Sequence, residues 1–340
     1  MKKALMLVLT ILVLFTGCSK KDDAADSTEA RKKTYEFNYA VFFPATHLQA
    51  QTAEAWAKEV EARTDGQIKI TLFHGGTLTK APQTYEAVIS GVADIGMSVF
   101  AYTRGRFPLL EGLDLPLGYP DGVTATRVAN EMVAKYQPEE LSDVHVLYLH
   151  AHGPGILASK KGVASTEDLS SMKIRATGLS AKIVTALGGT PISMSQGETY
   201  EALQKGVVDA TFCPIETLKG WKQGEVIDYV IDTKAIGYTT TMFVVMNNDK
   251  WNALPADLQE TMTEVSNEWI KIQGEAWDQS DAEGEAFVTE LGKSFITLPE
   301  SEEQAFINAM DPIYEEYISA TGEKGLPGEN FLADIKALLK

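Results

Sequence analysis

Thr84-Tyr-Glu-Ala-Val-Ile-Ser-Gly-Val-Ala-Asp-Ile95 recurs as Thr199-Tyr-Glu-Ala-Leu-Gln-Lys-Gly-Val-Val-Asp-Ala210, identical at seven of twelve positions. In each copy a helix runs to a glycine, Gly91 or Gly206, which can take the left-handed conformation that closes helices. A short strand follows, opening on valine and carrying Asp94 or Asp209. The copies stand 115 residues apart, too far for stacked solenoid repeats. They predict two α/β lobes built to one plan.

The residues leaving each repeat strand are then equivalent: Gly96-Met97-Ser98-Val99 in one lobe, Thr211-Phe212-Cys213-Pro214 in the other. In open α/β sheets, ligands lie beyond the carboxyl ends of the strands. Two facing lobes make a cleft with Ser98 and Val99 on one wall and Phe212 and Cys213 on the other, the geometry of a hinged binding protein. The rest of the chain fits this plan. Residues 35–43 read as a strand, and Pro44-Ala45-Thr46 opens a helix with Thr46 as its N-cap. Ala53, Trp56, Ala57 and Val60 share one helical face, Asp65-Gly66 ends that helix, and 67–73 alternates as a strand. This order predicts a mostly parallel sheet with helices on both faces. Residues 255–291 read as one long helix, with Leu258, Met262, Val265, Trp269, Ile272 and Ala276 on a stripe. Gly274 and Gly284 weaken its propensity. At ~1.5 Å per residue it reaches ~55 Å, enough to span both lobes. Residues 299–322 and 330–340 read as closing helices.

Charge and cysteines narrow the class. Lys+Arg 30 against Asp+Glu 47 gives −17, which argues against nucleic acid as a partner. Two cysteines, Cys18 and Cys213, exclude a disulfide framework. Met1-Lys2-Lys3 precedes an apolar run over 4–15, broken only by Thr10. That run is shorter than the ~20 residues of a membrane span and suits a signal-peptide core. Leu14-Phe15-Thr16-Gly17-Cys18 resembles the bacterial lipoprotein signal, with Phe15 departing from the usual leucine. The resemblance implies that residues 1–17 are removed, Cys18 is lipidated and the protein is anchored in the periplasm; cleavage near Ala24-Ala25 is the alternative. Residues 18–34 read as a flexible tether.

Gly76-Thr-Leu78, Glu86-Ala-Val-Ile-Ser-Gly-Val-Ala-Asp94, Leu115-Pro116-Leu117, Glu167-Asp168-Leu169 with Met172-Lys-Ile-Arg175, and Tyr200-Glu-Ala-Leu-Gln-Lys-Gly-Val-Val-Asp209 follow in order across 37–322. In these motifs the chain resembles the DctP-type solute-binding proteins of TRAP transporters. The resemblance implies a two-lobed α/β fold, periplasmic-binding-protein-like of type II, with a long helix spanning both lobes. The first lobe would comprise 35–152 and 241–280, the second 153–240 and 281–340. It implies a receptor rather than an enzyme, closing on a small organic acid and passing it to ion-gradient-driven membrane subunits. It also implies that Arg175 pairs with the ligand carboxylate. A guanidinium presents a rigid fork of donors to two carboxylate oxygens, which lysine cannot do. Because the acidic chain repels anions at long range, that local pairing must overcome the field.

Against the sugar-acid-binding branch of that family, a second arginine falls at Gly155 and an asparagine at Cys213, while polar positions fall at Phe42, Ala81 and Val99. Each swap trades a hydrogen-bonding group for room or apolar surface. With Phe43, Tyr102, Phe212 and Tyr238 expected nearby, the ligand expected is a monocarboxylate with an aromatic or large apolar body. His150-Ala-His152 reads as cleft-lining, as structural, or as a metal pair with no evident third ligand. His47 lies either on the pocket or bonded to the helix backbone. Gly153-Pro-Gly-Ile-Leu-Ala158 lacks the helix and acid of a dinucleotide fingerprint. Ser170-Ser-Met-Lys173 lacks the companion motifs of penicillin-binding enzymes. No cofactor is expected. The alternatives are a receptor of an ATP-driven importer and, in a different class, a secreted hydrolase or penicillin-binding-like enzyme that would need Ser170.

Overall fold

The computed structural model describes residues 33–340. The signal-peptide and Cys18 assignments therefore lie outside the described residues. Strands β1 (Tyr35–Val41), β2 (Ile68–Phe73), β3 (Ile95–Val99), β4 (Val144–Ala151) and β10 (Thr241–Asn247) form one sheet in the order β2-β1-β3-β10-β4. The other sheet holds β5 (Ile156–Ser159), β6 (Lys173–Ala176), β7 (Thr190–Ser193), β8 (Ala210–Cys213), β9 (Tyr229–Asp232) and β11 (Ser294–Thr297), ordered β11-β9-β5-β8-β6-β7. In the first, β2, β1 and β3 run parallel and β10 lies antiparallel between β3 and β4. In the second, β7, β6 and β8 run parallel and β5 lies antiparallel between β8 and β9. The two lobes thus share one plan, and the repeat strands β3 and β8 hold the same place in it.

The repeat's retained residues explain that equivalence. Gly91 and Gly206 take φ of 73° and 71°. The amides of Val92 and Val207 then reach back to the carbonyls of Ala87 and Ala202, each at 2.9 Å. The Asp94 carboxylate accepts the Asn38 N–H at 2.8 Å, and Asp209 accepts the Lys173 N–H at 3.0 Å. Each aspartate ties the start of its strand to the neighbouring parallel strand, which fixes register where the side-chain pattern alone would not.

The first helix, Leu48–Arg63, is capped by His47 rather than by Thr46. The His47 amide turns back onto the Pro44 carbonyl at 2.9 Å, so His47 is the residue left extended at the helix mouth. Its Nδ1 accepts the Gln49 N–H at 3.2 Å.

The chain passes between the sheets in two connecting runs, 152–155 and 233–240, the second carrying a turn at 234–236, and again through the 35-residue helix Ala256–Glu290. The two glycines that weaken this helix mark its closest approaches. A Cβ on Gly274 would stand 2.8 Å from Val123 Cα, at the start of helix Gly122–Tyr136. One on Gly284 would stand 2.4 Å from the Ile215 carbonyl oxygen, just past β8. Ile272, expected on the buried stripe, is instead 38% exposed, while Gln273 and Trp277 face inward. The stripe follows two different contact surfaces, so a single period does not describe it.

The resemblance assigns 281–340 to the second lobe; of the last two helices, one touches both lobes, its Glu316 pairing with Lys182 at 3.1 Å, and the other touches the first. Tyr317, on helix Asp311–Glu323, donates to the Leu109 carbonyl at 2.8 Å. Asp334, on helix Gly328–Leu338, accepts from Tyr136 at 2.5 Å. Phe331 packs edge-on against Tyr136 and is fully buried, so the apolar face of this helix is covered by helix Gly122–Tyr136.

Candidate ligand-binding cleft

Arg175 lies in β6, flanked by β7 and β8, and is buried. Its Nε and Nη2 donate to the Met194 carbonyl oxygen at 3.2 and 3.1 Å, and Nη1 reaches the Phe212 carbonyl at 3.5 Å. Those carbonyls belong to the ends of the two neighbouring strands, so the sheet itself aims the guanidinium. Among the described residues no carboxylate stands within ion-pair distance of it. A buried cation left with neutral acceptors alone is costly. An anion in the adjoining space would relieve it.

That space is a cavity lined by Arg175, Phe42, Val99, Tyr102, His152, Phe212, Cys213 and Tyr238 among the residues expected. It is lined also by Phe43, Gln196, Glu216, Trp221, Thr177, Ser180 and others. The walls are aromatic. Phe42 stacks on Trp221 with ring centres 6.1 Å apart and stands edge-on to Tyr102 at 6.3 Å. Phe212 and His152 stand edge-on to Tyr238 at 5.8 and 5.7 Å. The Gln196 N–H donates to the Tyr102 hydroxyl at 3.0 Å, joining first-sheet and second-sheet elements across the cleft. Burial pushes the Cys213 thiol up to about 12 and the His152 imidazole down to about 4. Both are neutral at pH 7.

Three expected residues lie off the cavity lining. Ser98 is fully buried and donates from Oγ to the Ala81 carbonyl at 2.7 Å. Ser98 and Val99 alternate across the sheet, so only one of them can face the cleft. The Gly155 amide bonds the Tyr238 carbonyl at 3.0 Å, and a Cβ at 155 would stand 2.0 Å from the Tyr238 ring. The tyrosine occupies the room that a side chain at 155 would need. His47 stands at the interface of the lobes. Its Nδ1 is taken as an acceptor by the helix cap, so Nε2–H donates to the Glu216 carboxylate, at 2.8 Å.

Sequence reasoning missed Glu216, Gln196 and Trp221. Glu216 follows β8 and Gln196 follows β7, both at the carboxyl ends of strands, where a ligand site is to be sought. Trp221 lies beyond the turn Thr217–Gly220 and carries no such signal. Glu216 is buried, its amide donates to Asp281 on the long helix at 3.1 Å, and burial next to the Glu216 charge pushes Asp281 up to about 8.

The remaining histidines and the serine motif have other partners. His150 accepts the Trp277 indole N–H at 3.0 Å, and His145 stacks on Trp251 at 3.6 Å. Ser170 is exposed, outside the cavity, and donates to the Glu167 carbonyl at 2.8 Å.

The family model described as bacterial extracellular solute-binding protein, family 7 (DctP), matches residues 39–320. A TRAP periplasmic solute-binding protein of Desulfovibrio salexigens, solved as an open complex, is 32% identical. It covers 89% of this chain and 95% of its own, with a TM-score of 0.79. A TRAP solute-binding protein of Rhodoferax ferrireducens in complex with benzoate is 25% identical, covers 90% and 98%, and has a TM-score of 0.85. The monocarboxylate 2-oxoacid-binding periplasmic protein of Nostoc sp. is 28% identical over 283 residues, 78% of this chain and 75% of its own.

Proposed function

The chain belongs to the DctP family of bacterial extracellular solute-binding proteins, receptors of TRAP systems, and from that premise we propose that its cleft captures one organic monocarboxylate with an aromatic or large apolar body. Like its family it is a periplasmic receptor and not an enzyme. The observation that carries the proposal is the buried Arg175 guanidinium, which is held by carbonyls, has no carboxylate within ion-pair distance among the described residues, and faces a cavity walled by aromatic rings. A ligand carboxylate would complete the fork. Rings of Phe42, Phe212, Tyr238 and Trp221 would cover the apolar body, worth ~25 cal/mol per Å² buried. The relative solved with benzoate and the one named for monocarboxylate 2-oxoacids both take monocarboxylates.

Capture proceeds by closure of two units about the runs 152–155 and 233–240, and the closed form is handed to the membrane subunits. Attachment of the mature chain through a lipidated Cys18 belongs to the same proposal; loss of membrane fractionation in Cys18→Ala tests it separately. The ligand test is a thermal-shift screen of carboxylic acids. Aromatic monocarboxylates are expected to raise Tm, since a ligand at 100 Kd adds ~2.7 kcal/mol to the folded state. Stabilisation by dicarboxylates or sugar acids alone would overturn the pocket assignment.

A further inference from the structure

His152 lies in the crossing run 152–155, buried yet on the cavity wall. Its Nδ1 stands 2.5 Å from the Gly153 carbonyl oxygen. A carbonyl only accepts, so the proton of that bond is on Nδ1. Burial, with the Arg175 charge adding to it, keeps the ring neutral at pH 7. A neutral imidazole protonated on Nδ1 carries a lone pair on Nε2. Among the described residues no group donates to that nitrogen. Unlike the sealed Nε2 of His150, it is open to the cavity. The cavity thus holds the Arg175 cation and, at His152, an acceptor that no described group satisfies.

We propose that the ligand is a hydroxy acid, its carboxylate on Arg175 and its hydroxyl donating to Nε2 of His152. The inference rests on the monocarboxylate reading above and narrows it. An ammonium could also donate to Nε2, but it would stand in a cavity already carrying the Arg175 charge. On that wall Glu216 Oε2 accepts from His47. An acid without a donor would bury Nε2 unpaired, and the penalty for an unsatisfied buried acceptor exceeds what a satisfied bond gains.

The test is calorimetric titration at pH 7 with phenylacetate, its α-hydroxy and three ring-hydroxy derivatives, and the fluoro analogue of each, which keeps size but cannot donate. At least one hydroxy acid is expected to bind about tenfold tighter than phenylacetate. Its fluoro analogue should lose that gain. In His152→Phe the hydroxy acid's advantage over phenylacetate, both measured on the variant, should vanish. Phenylacetate binding as tightly as every hydroxy derivative would overturn the inference and leave the monocarboxylate reading standing. A gain that persists in His152→Phe would overturn the assignment to His152. Silence from all of these acids would remove both the reading and the inference built on it. Should His152→Phe fail to fold, the hydroxy and fluoro pairs on the unaltered protein decide the question by themselves.

Discussion

Arg175 donates its two shortest bonds to one carbonyl oxygen, that of Met194, while Nη1 makes a longer contact with the Phe212 carbonyl. The guanidinium is therefore positioned before any ligand arrives, and little ordering remains to be done on binding. Losing one partner of a desolvated charge pair weakens binding by about 30-fold or more, so Arg175→Ala should do so in calorimetry. Arg175→Lys should recover little, because a point charge lacks the fork. Unchanged affinity in either would place the carboxylate elsewhere. Gly155 acts through its neighbour. Gly155→Ala drives a Cβ to 2.0 Å from the Tyr238 ring and should lower both Tm and affinity, by displacing a cavity wall. Asp281 gives a pH signature. Its folded-state value of about 8 lies well above the ordinary carboxylate range. The folded state therefore holds the proton more tightly than the unfolded one, and this stability contribution is full at low pH and is lost as pH rises through about 8. Asp281→Asn keeps an acceptor for the Glu216 amide and should raise Tm at pH 8, flattening the decline between pH 4 and 8; a parallel decline in the variant would refute this.

The long helix Ala256–Glu290 shows at the level of an element why propensity misleads. Its interior glycines are each disfavoured by roughly 1 kcal/mol relative to alanine, yet both sit where another backbone crosses. Gly284→Ala should therefore destabilise by about 1–3 kcal/mol through overpacking against the Ile215 carbonyl. Gly322, on helix Asp311–Glu323, meets nothing within 4 Å, and Gly322→Ala should stabilise by up to about 1 kcal/mol. Chemical denaturation of the two variants should give opposite signs, and a common sign would show that the crossing at Ile215 is not tight. The repeat elements behave differently. There the local signals (a closing glycine, a strand valine, a register aspartate) all point the same way, and the sheets follow them closely.

Across the whole molecule the two lobes meet through His47 with Glu216, Tyr102 with Gln196, and Phe42 with Trp221. His47→Ala would leave the Glu216 carboxylate buried without its donor only while the lobes are together. It should weaken ligand binding by about tenfold, mainly through faster dissociation, although His47 lies off the cavity lining. Stopped-flow release with an unchanged off-rate would exclude this contact from the closed form. The sequence made the paired sheets, the cleft between them and the candidate arginine legible, because strand ends carry local signals and the family motifs bracket Arg175; its seat on the Met194 and Phe212 carbonyls was not legible. It did not disclose that His47 bonds across the lobes, that Tyr238 fills the room beside Gly155, or that Trp221 walls the cavity. Those facts depend on which surface a loop residue meets after folding, and no residue period encodes that. The topology has one more consequence. β10 pairs with β3 and β4, yet the ribosome reaches it only after every strand from β5 to β9 has been made. The nascent first sheet must wait with its central place vacant, so neither half can mature before most of the polypeptide has emerged. Such delay, inherent to non-local pairing, keeps the partly made chain unfolded for longer than a design of sequential hairpins would.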